Sequence, residues 1–363
     1  MKQKKIIILV LILFSLTCTL QAQKGYSISL DLTGFKDSTK FYLLDLDLEK
    51  YTDSIMLIKG RGKFTGFVKE PGGFRIHTID NKYLVIELDN SDISVEGNYK
   101  DFEYCTIEGS ELNTVWTKSR DYQKNIQIRR DSLMQKSMQI NNTNPVLEKE
   151  IIQKVRQIDK DIIKYRLSLI KTEKPSFFTL KELFYLRTDL TKDSLKQLFD
   201  LFPTSLKKTK YGDVILTYID TKGIPGIGDK FIDIEGFDLN GASRKLSENK
   251  GKYIFLEFWA SWCTPCIGEI PNLIKDYTTF KNKGFEIYSF SIDSNKESWK
   301  KATEKYHITW INVSDNKGSY SVMAAKYGVR AIPKNYLINP EGTIIAMNLN
   351  GDELYKKLGE LLK

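Results

Sequence analysis

The sequence predicts an α/β fold at the C-terminus, with a central mixed sheet flanked by helices, preceded by a small β-rich domain and a helical segment. Three observations lead to this prediction. Short segments of alternating polarity, separated by turn residues, fill residues 23–110. Glycine is then absent between Gly109 and Gly212, where apolar residues recur at helical spacing. From residue 223 onward, strand and helix patterns alternate, an order that places helices against one sheet.

The first 22 residues are typical of a secretory signal. A basic start, residues 2–5, is followed by an apolar run over 6–16 and by a polar stretch that ends at small Ala22. The apolar run is short for a bilayer span, so a permanent anchor is the alternative, and lipid modification of Cys18 is another. We therefore expect an exported protein of the periplasm or cell envelope.

Residues 23–110 predict a β sandwich or barrel, because short strands recur between turn signals such as Gly60-Arg61-Gly62. This part shows no catalytic constellation. Lone Cys105 is expected to be a buried apolar side chain, and His77 a packed strand residue. The predicted strands cover residues 26–32, 40–46, 64–68, 73–79, 83–88 and 93–95.

Residues 111–222 predict a helical region that ends in a linker, since charged and apolar residues alternate at helical spacing and a glycine-rich stretch begins at Gly223. The apolar stripes are expected to be core, with a partner-binding surface as the alternative. The predicted helices cover residues 110–140, 145–171, 176–187 and 192–201.

Residues 223–363 carry the alternating pattern. Strands are predicted over 252–259, 284–292, 335–338 and 343–348. Helices are predicted from Cys263 to about residue 281, and over 296–306, 320–327 and 353–362.

The residue composition disfavours several classes of functional site and partner. The chain has two histidines among its 363 residues, which disfavours a multi-histidine metal site and a Ser-His-Asp hydrolase. The net charge of +9 is spread along the chain, so nucleic acid is not an expected partner. Four cysteines are too few for a disulfide-stapled scaffold of this size.

Two cysteines, Cys263 and Cys266, have the Cys-x-x-Cys spacing. Half of a zinc site is one interpretation, but zinc needs two more ligands, and the chain offers few histidines and cysteines elsewhere. A redox dithiol is the other, and it needs a strand that delivers the first cysteine to a helix N-terminus. That context is predicted here, and a helix N-terminus stabilises a thiolate.

The segment around these cysteines, Trp259-Ala260-Ser261-Trp262-Cys263-Thr264-Pro265-Cys266, resembles the active-site signature of thioredoxin-fold proteins, and in particular the TlpA/ResA-type envelope thiol:disulfide oxidoreductases. Pro271 matches the proline that kinks the family's active-site helix. Ala331-Ile332-Pro333 looks like its cis-proline loop, and Asn339-Pro340-Glu341-Gly342 like the hairpin turn after it. The resemblance covers residues 223–363, whereas 23–220 resembles uncharacterised modules that precede such domains.

The resemblance implies thiol–disulfide exchange without cofactor or metal. Cys263 would be the exposed nucleophile and Cys266 would resolve the mixed disulfide. The implied partners are disulfide- or dithiol-bearing envelope proteins and an upstream electron donor, with the protein working as a reductant. Residues implied to contact the substrate are Trp262, Thr264, Pro265, Ile332 and Pro333.

Two carboxylates are candidates for proton transfer. Glu257 interrupts an apolar strand six residues before Cys263, where the family resemblance implies a buried acid that shuttles the proton of Cys266. A strand-end glutamate that reaches solvent is the alternative. Glu269, three residues after Cys266, matches a family glutamate that lines the active-site cavity, and an ordinary exposed helix residue is its alternative.

Two other functions remain open at this stage. A peroxiredoxin would need a threonine three residues before its reactive cysteine, where this chain has Ala260. A non-enzymatic envelope adaptor would use the domain as a scaffold, and a scaffold needs neither Cys263 nor Cys266.

Overall fold

The structure, a computed structural model, describes residues 24–140 and 144–362. The secretory signal predicted for residues 1–22 lies outside these ranges. Within them, no helix combines the length and the apolar character needed to cross a membrane.

The N-terminal strands form a β sandwich, one of the two predicted architectures. Two four-stranded sheets, ordered β4-β1-β7-β8 and β3-β2-β5-β6, bury side chains such as Ile28 and Phe41 in one shared core. Polarity alternates along β1 because one of its faces meets this core. The strands are β1 (Tyr26–Thr33), β2 (Lys40–Asp45), β3 (Lys50–Met56), β4 (Arg61–Gly66), β5 (Gly72–Thr78), β6 (Tyr83–Leu88), β7 (Asp92–Asn98) and β8 (Thr106–Glu108).

Three details of this sandwich differ from the prediction. Strands β3 and β8 were not expected, and Arg61, assigned to a turn, begins β4. Strand β3 is an edge strand with both faces largely exposed, so its sequence lacks the apolar alternation of a half-buried strand. Strand β8 has only three residues, too few for a periodic signal.

The helical region packs against the edge of the sandwich and around an apolar core that also includes Ala325 from the C-terminal part. Fully buried Asn113 exchanges two hydrogen bonds with the backbone of Glu87 on edge strand β6, at 3.0 and 2.6 Å, and so covers part of that edge. The prediction did not include α5 and α6. The helices are α1 (Glu111–Ile140), α2 (Pro145–Thr172), α3 (Phe177–Leu186), α4 (Lys192–Asp200), α5 (Thr204–Lys207) and α6 (Lys210–Asp220).

The C-terminal part is a seven-stranded mixed sheet, ordered β10-β9-β13-β12-β11-β14-β15, with an apolar core on each face. Its strands are β9 (Glu235–Phe237), β10 (Ser243–Lys245), β11 (Tyr253–Trp259), β12 (Phe285–Ser291), β13 (Ile311–Ser314), β14 (Lys334–Ile338) and β15 (Ile344–Met347). Its helices are α7 (Thr264–Phe280), α8 (Lys296–Lys305), α9 (Val322–Lys326) and α10 (Asp352–Leu361).

This sheet confirms the predicted mixed architecture and extends it. Strand β11 lies between parallel β12 and antiparallel β14, which makes it a central strand. Strands β9, β10 and β13 were not predicted, because segments of three or four residues carry no readable period. The helix predicted over 320–327 is shorter, since Ser321 caps α9 by accepting a hydrogen bond from the Ala324 N–H.

Candidate redox site

The two cysteines lie where a central strand passes into a helix. Strand β11 ends at Trp259, and Cys263 is the N-cap of α7, with its Sγ accepting a hydrogen bond from the Cys266 N–H at 3.2 Å. The two residues are joined by a disulfide, with their Cα atoms 5.2 Å apart. Pro265 fits this position because the first helical turn needs no N–H donor there. The positive end of the helix dipole thus meets Cys263, which favours its thiolate after reduction.

The loop before the cysteines is held by Asp293, which the sequence analysis missed. Its buried carboxylate accepts hydrogen bonds from the Ser261 N–H at 2.9 Å and the Ser261 hydroxyl at 2.6 Å. The Ser291 hydroxyl donates to the same carboxylate at 2.6 Å. Asp293 follows β12, whose carboxyl end lies beside that of parallel β11, and ligand and catalytic groups collect at such edges. The topology was the signal that could have found it.

The prediction of an exposed nucleophile is wrong for this state of the protein. Cys263 is 4% exposed and Cys266 3%. Both sulfurs belong to an apolar cluster with Trp259 and Ile270, and the side chain of Ile332 packs against that cluster. The exposed group beside the disulfide is instead Trp262, at 55%.

The other residues predicted to contact substrate divide into two sets. Thr264 and Pro265 are exposed at the start of α7, next to Trp262, whereas Ile332 and Pro333 are half-buried. The peptide bond between Ile332 and Pro333 is cis, as the resemblance implies. Pro333 and Cys266 line one small cavity, so the cis-proline loop lies against the cysteine pair.

Glu257 is buried in the middle of the sheet rather than reaching solvent, so the strand-end alternative is wrong. The hydroxyl of Ser289 donates a hydrogen bond to its Oε1, and the Trp310 Nε1–H donates to that hydroxyl at 2.6 Å. Burial raises the pKa of Glu257 to about 7; the Ser289 hydrogen bond opposes this rise, and the charge of Glu269 adds to it. At neutral pH this carboxyl can therefore either hold or accept a proton.

Glu269 is half-buried, so the alternative of an ordinary exposed helix residue is also wrong. Its Oε2 accepts hydrogen bonds from the Gly351 N–H at 2.9 Å and from Asn272 Nδ2 at 3.2 Å. Glu257, Glu269 and Cys266 line the same cavity, which measures about 10 Å³. That volume accommodates about one water molecule.

A third carboxyl, Asp276, lines this cavity and was missed by the sequence analysis. It is buried, its Oδ2 has no hydrogen-bond partner among the described residues, and burial raises its pKa to about 6. It lies two helical turns after Glu269 on α7, so the helical period could have placed both on one face.

The described residues include no group of three or more His, Cys, Asp and Glu side chains arranged to hold a metal ion. Cys105, the free cysteine of the described ranges, is buried in the sandwich core. Burial raises the pKa of its thiol to about 11, which disfavours the thiolate at neutral pH.

A cysteine pair at the N-terminus of a helix, a cis-proline loop beside it and a central mixed sheet define a thioredoxin-like domain with a thiol–disulfide exchange site. Comparison with known families agrees with this class. Residues 227–347 match the AhpC/TSA family, and residues 26–116 match a domain of unknown function, DUF4369.

Individual relatives give the family. The thiol-disulfide oxidoreductase ResA of Bacillus thuringiensis is 32% identical over 126 residues, which is 35% of this chain and 70% of ResA. ResA of Bacillus subtilis is 36% identical over 108 residues, 30% of this chain and 59% of that protein. A solved thioredoxin domain of a thiol-disulfide oxidoreductase from Bacteroides vulgatus is 38% identical, covering 38% of this chain and 99% of that one, with a TM-score of 0.37.

The chain belongs to the ResA-type thiol-disulfide oxidoreductases. It is an enzyme of the thioredoxin-like type, and its reaction is thiol–disulfide exchange. The relatives favour exchange over the peroxidase and scaffold alternatives.

Proposed function

We propose that Cys263 is the nucleophile and Cys266 the resolving cysteine of a reductase for disulfides of exported proteins. The Cys263 thiolate attacks one sulfur of the substrate disulfide, and the substrate's other sulfur leaves as a thiolate. The Cys266 thiolate then attacks Cys263 Sγ, which releases the second substrate thiol and forms the Cys263–Cys266 disulfide. Two electrons pass to the substrate in each cycle.

The observation that carries this assignment is the N-cap position of Cys263. Its sulfur accepts a hydrogen bond from the Cys266 N–H, and the residue directly precedes the first residue of α7. A thiolate there gains from the helix dipole and from a backbone donor, whereas Cys266 lies inside the first turn. Attack on an external disulfide therefore falls to Cys263.

Glu257 is proposed to accept the proton of Cys266 during resolution. It lines the same cavity as Cys266, and the space there is large enough for about one water molecule to relay the proton. Its raised pKa, about 7, matches this task near neutral pH. Glu269 is proposed to influence the acidity of the thiols through its negative charge at the cavity wall, held in place by the Gly351 N–H.

The cellular setting is part of the proposal. The pattern of residues 1–22 supports export to the periplasm or cell envelope, with membrane or lipid anchoring as the alternative. Substrates are then disulfide-bearing envelope proteins, and an upstream dithiol donor must restore the reduced state. We also infer three units after the signal, residues 23–110, 111–222 and 223–363, supported by apolar clusters of the described residues that each draw mainly on one of these ranges.

Reduction of insulin disulfides by the full chain tests the proposal, with dithiothreitol as electron source. Cys263→Ser should abolish turnover above the dithiothreitol background, and Cys105→Ser, the matched control, should retain it. Full activity of Cys263→Ser would overturn the assignment.

A further inference from the structure

A cleft of about 200 Å³ lies beside the exposed redox-site residue Trp262. All three parts of the chain contribute to it. Leu46, Asp47 and Glu49 come from the turn after β2, and Lys181 and Tyr185 come from α3. The C-terminal domain completes the lining with Trp262, Ile292, Ser294, Gly318, Ser319 and Tyr320.

Helix α3 forms one wall of this cleft, and the residues just after it contact the chain immediately before the cis-proline loop. Arg187 Nη2 donates a hydrogen bond to the Val329 carbonyl at 3.5 Å. Arg330 Nη1 forms a salt bridge with Asp189 Oδ1 at 2.6 Å. Val329 and Arg330 precede Pro333 by four and three residues, so the helical region contacts the chain just before the cis-proline loop and also lines the same cleft as Trp262.

Among the charged side chains that line the cleft, one has no ion-pair partner among the described residues. Asp47 is paired with Lys210, and Lys181 with Glu87. Glu49 is exposed and forms no ion pair within the described residues. The lining also presents two aromatic rings to solvent, since Trp262 is 55% exposed and Tyr185 42%. Exposed aromatic rings around a recess are typical anchors of protein interfaces.

We propose that this cleft binds the polypeptide segment that flanks the substrate's target cysteine, with a large apolar side chain between Trp262 and Tyr185 and a positive charge near Glu49. The inference rests on the proposed function, because Cys263 must be the attacking sulfur for a segment at Trp262 to be in reach. The volume is below the roughly 300–1,000 Å³ of pockets for drug-sized ligands, so it suits a side chain. The β-rich and helical parts thereby select substrates.

Turnover of a set of short disulfide-bonded peptides by the full chain tests this inference. The peptides differ at two positions next to the cysteine, Phe or Gly at one and Lys or Glu at the other, and kcat/KM is measured for each. Tyr185→Ala should reduce the preference for Phe over Gly about tenfold, the order of effect of removing an interface anchor. Tyr122→Ala is the control, because Tyr122 is a similarly exposed tyrosine on α1 outside the cleft.

An independent variant, Glu49→Lys, protects the test against a folding defect in Tyr185→Ala. It should reverse the preference for Lys over Glu peptides, whereas Glu96→Lys, on an exposed position of β7, should keep it. Unchanged preferences in both cleft variants, with peptides still turned over, would overturn this inference alone. Failure of the unmodified protein to turn over any peptide would overturn the proposed function and this inference with it.

Discussion

The carboxylate of Asp47 accepts a hydrogen bond from the hydroxyl of Tyr320, which lies 273 residues further along the chain. Lys210 of α6 pairs with the same carboxylate, and the hydroxyls of Tyr211 and Tyr320 are 3.2 Å apart. One polar cluster therefore joins the sandwich, the helical region and the C-terminal domain next to the redox site. Asp47 and Tyr320 of this cluster also line the cleft beside Trp262.

Asp47→Asn should destabilise the whole chain. The substitution leaves the Lys210 ammonium without its counter-charge at a site where the two side chains are only 24% and 14% exposed. We expect a loss of about 1–3 kcal/mol, measured as a lower midpoint of thermal unfolding. Asp31→Asn is the control, because its pair with Arg61 is largely exposed and contributes about 0–1 kcal/mol. Equal midpoints for the two variants would contradict the role of the cluster.

Glu257→Gln should raise the free energy of unfolding above that of the unmodified protein, and this gain should be larger at pH 8 than at pH 4. Burial raises the pKa of Glu257 from 4.5 to about 7, so the folded state keeps a proton that the unfolded chain releases in this interval. Stability is therefore lost as the pH rises from about 4.5 to 7, by about 3 kcal/mol in total. The amide introduced at position 257 does not titrate, so the variant does not lose stability in this way. Chemical denaturation of both proteins at pH 4 and pH 8 measures their free energies of unfolding. A difference between the two proteins that is the same at both pH values would contradict the prediction.

Glu257→Gln should also slow resolution of the mixed disulfide above neutral pH, where the carboxylate would otherwise accept the proton of Cys266. Stopped-flow measurement of product release across pH 5–9 gives the profile. The inflection near pH 7 should disappear in the variant. A profile identical to that of the unmodified protein would remove Glu257 from the mechanism.

Ser289→Ala should move that inflection to higher pH, because the Ser289 hydroxyl stabilises the ionised form of Glu257. Ser314→Ala is the control, since its hydroxyl donates to the Ser291 carbonyl at 2.9 Å instead. A merely structural role for Ser289 would lower stability without moving the inflection. A lower or unchanged inflection in Ser289→Ala would therefore contradict the proposed hydrogen-bond effect.

Cys105 should resist alkylation in the native, reduced protein. It is 3% exposed, and its thiol pKa is raised to about 11, so little thiolate forms at neutral pH. Iodoacetamide at pH 7 followed by peptide mass spectrometry should find the label on Cys263 and none on Cys105. Labelling of Cys105 at the rate of Cys263 would mean that this thiol is accessible.

The sequence alone predicted the parts of the fold that have a long period or a specific motif. The alternation of β1, the helical stripe of α2 and the strand-to-helix passage at Cys263 were all readable. Strand β13 was not, because its four residues acquire their role only by pairing in parallel with β12. Edge strand β3 was missed because both of its faces are largely exposed, so its sequence lacks alternating apolar residues.

The residues of the site likewise include some that were predictable from the sequence and others that were not. The motif itself supplies Cys263 and Cys266. Glu257 lies six residues before it and Glu269 three residues after it, so local geometry sets their positions on the strand and the helix. Asp293 comes from another strand end, and Tyr185 from a helix outside the domain, so only tertiary packing brings them to the disulfide. The burial of Cys263 was also unreadable, since its apolar cluster includes residues distant in the sequence, such as Leu337, and Ile332 packs against that cluster.

The most direct test of the central claim is a comparison of two single variants incubated with a disulfide-bonded substrate protein. If Cys263 attacks and Cys266 resolves, Cys266→Ser should accumulate a mixed disulfide through Cys263, visible as a mass increase that dithiothreitol reverses. Cys263→Ser should accumulate none. Accumulation in Cys263→Ser and its absence in Cys266→Ser would contradict the assignment of the two cysteines.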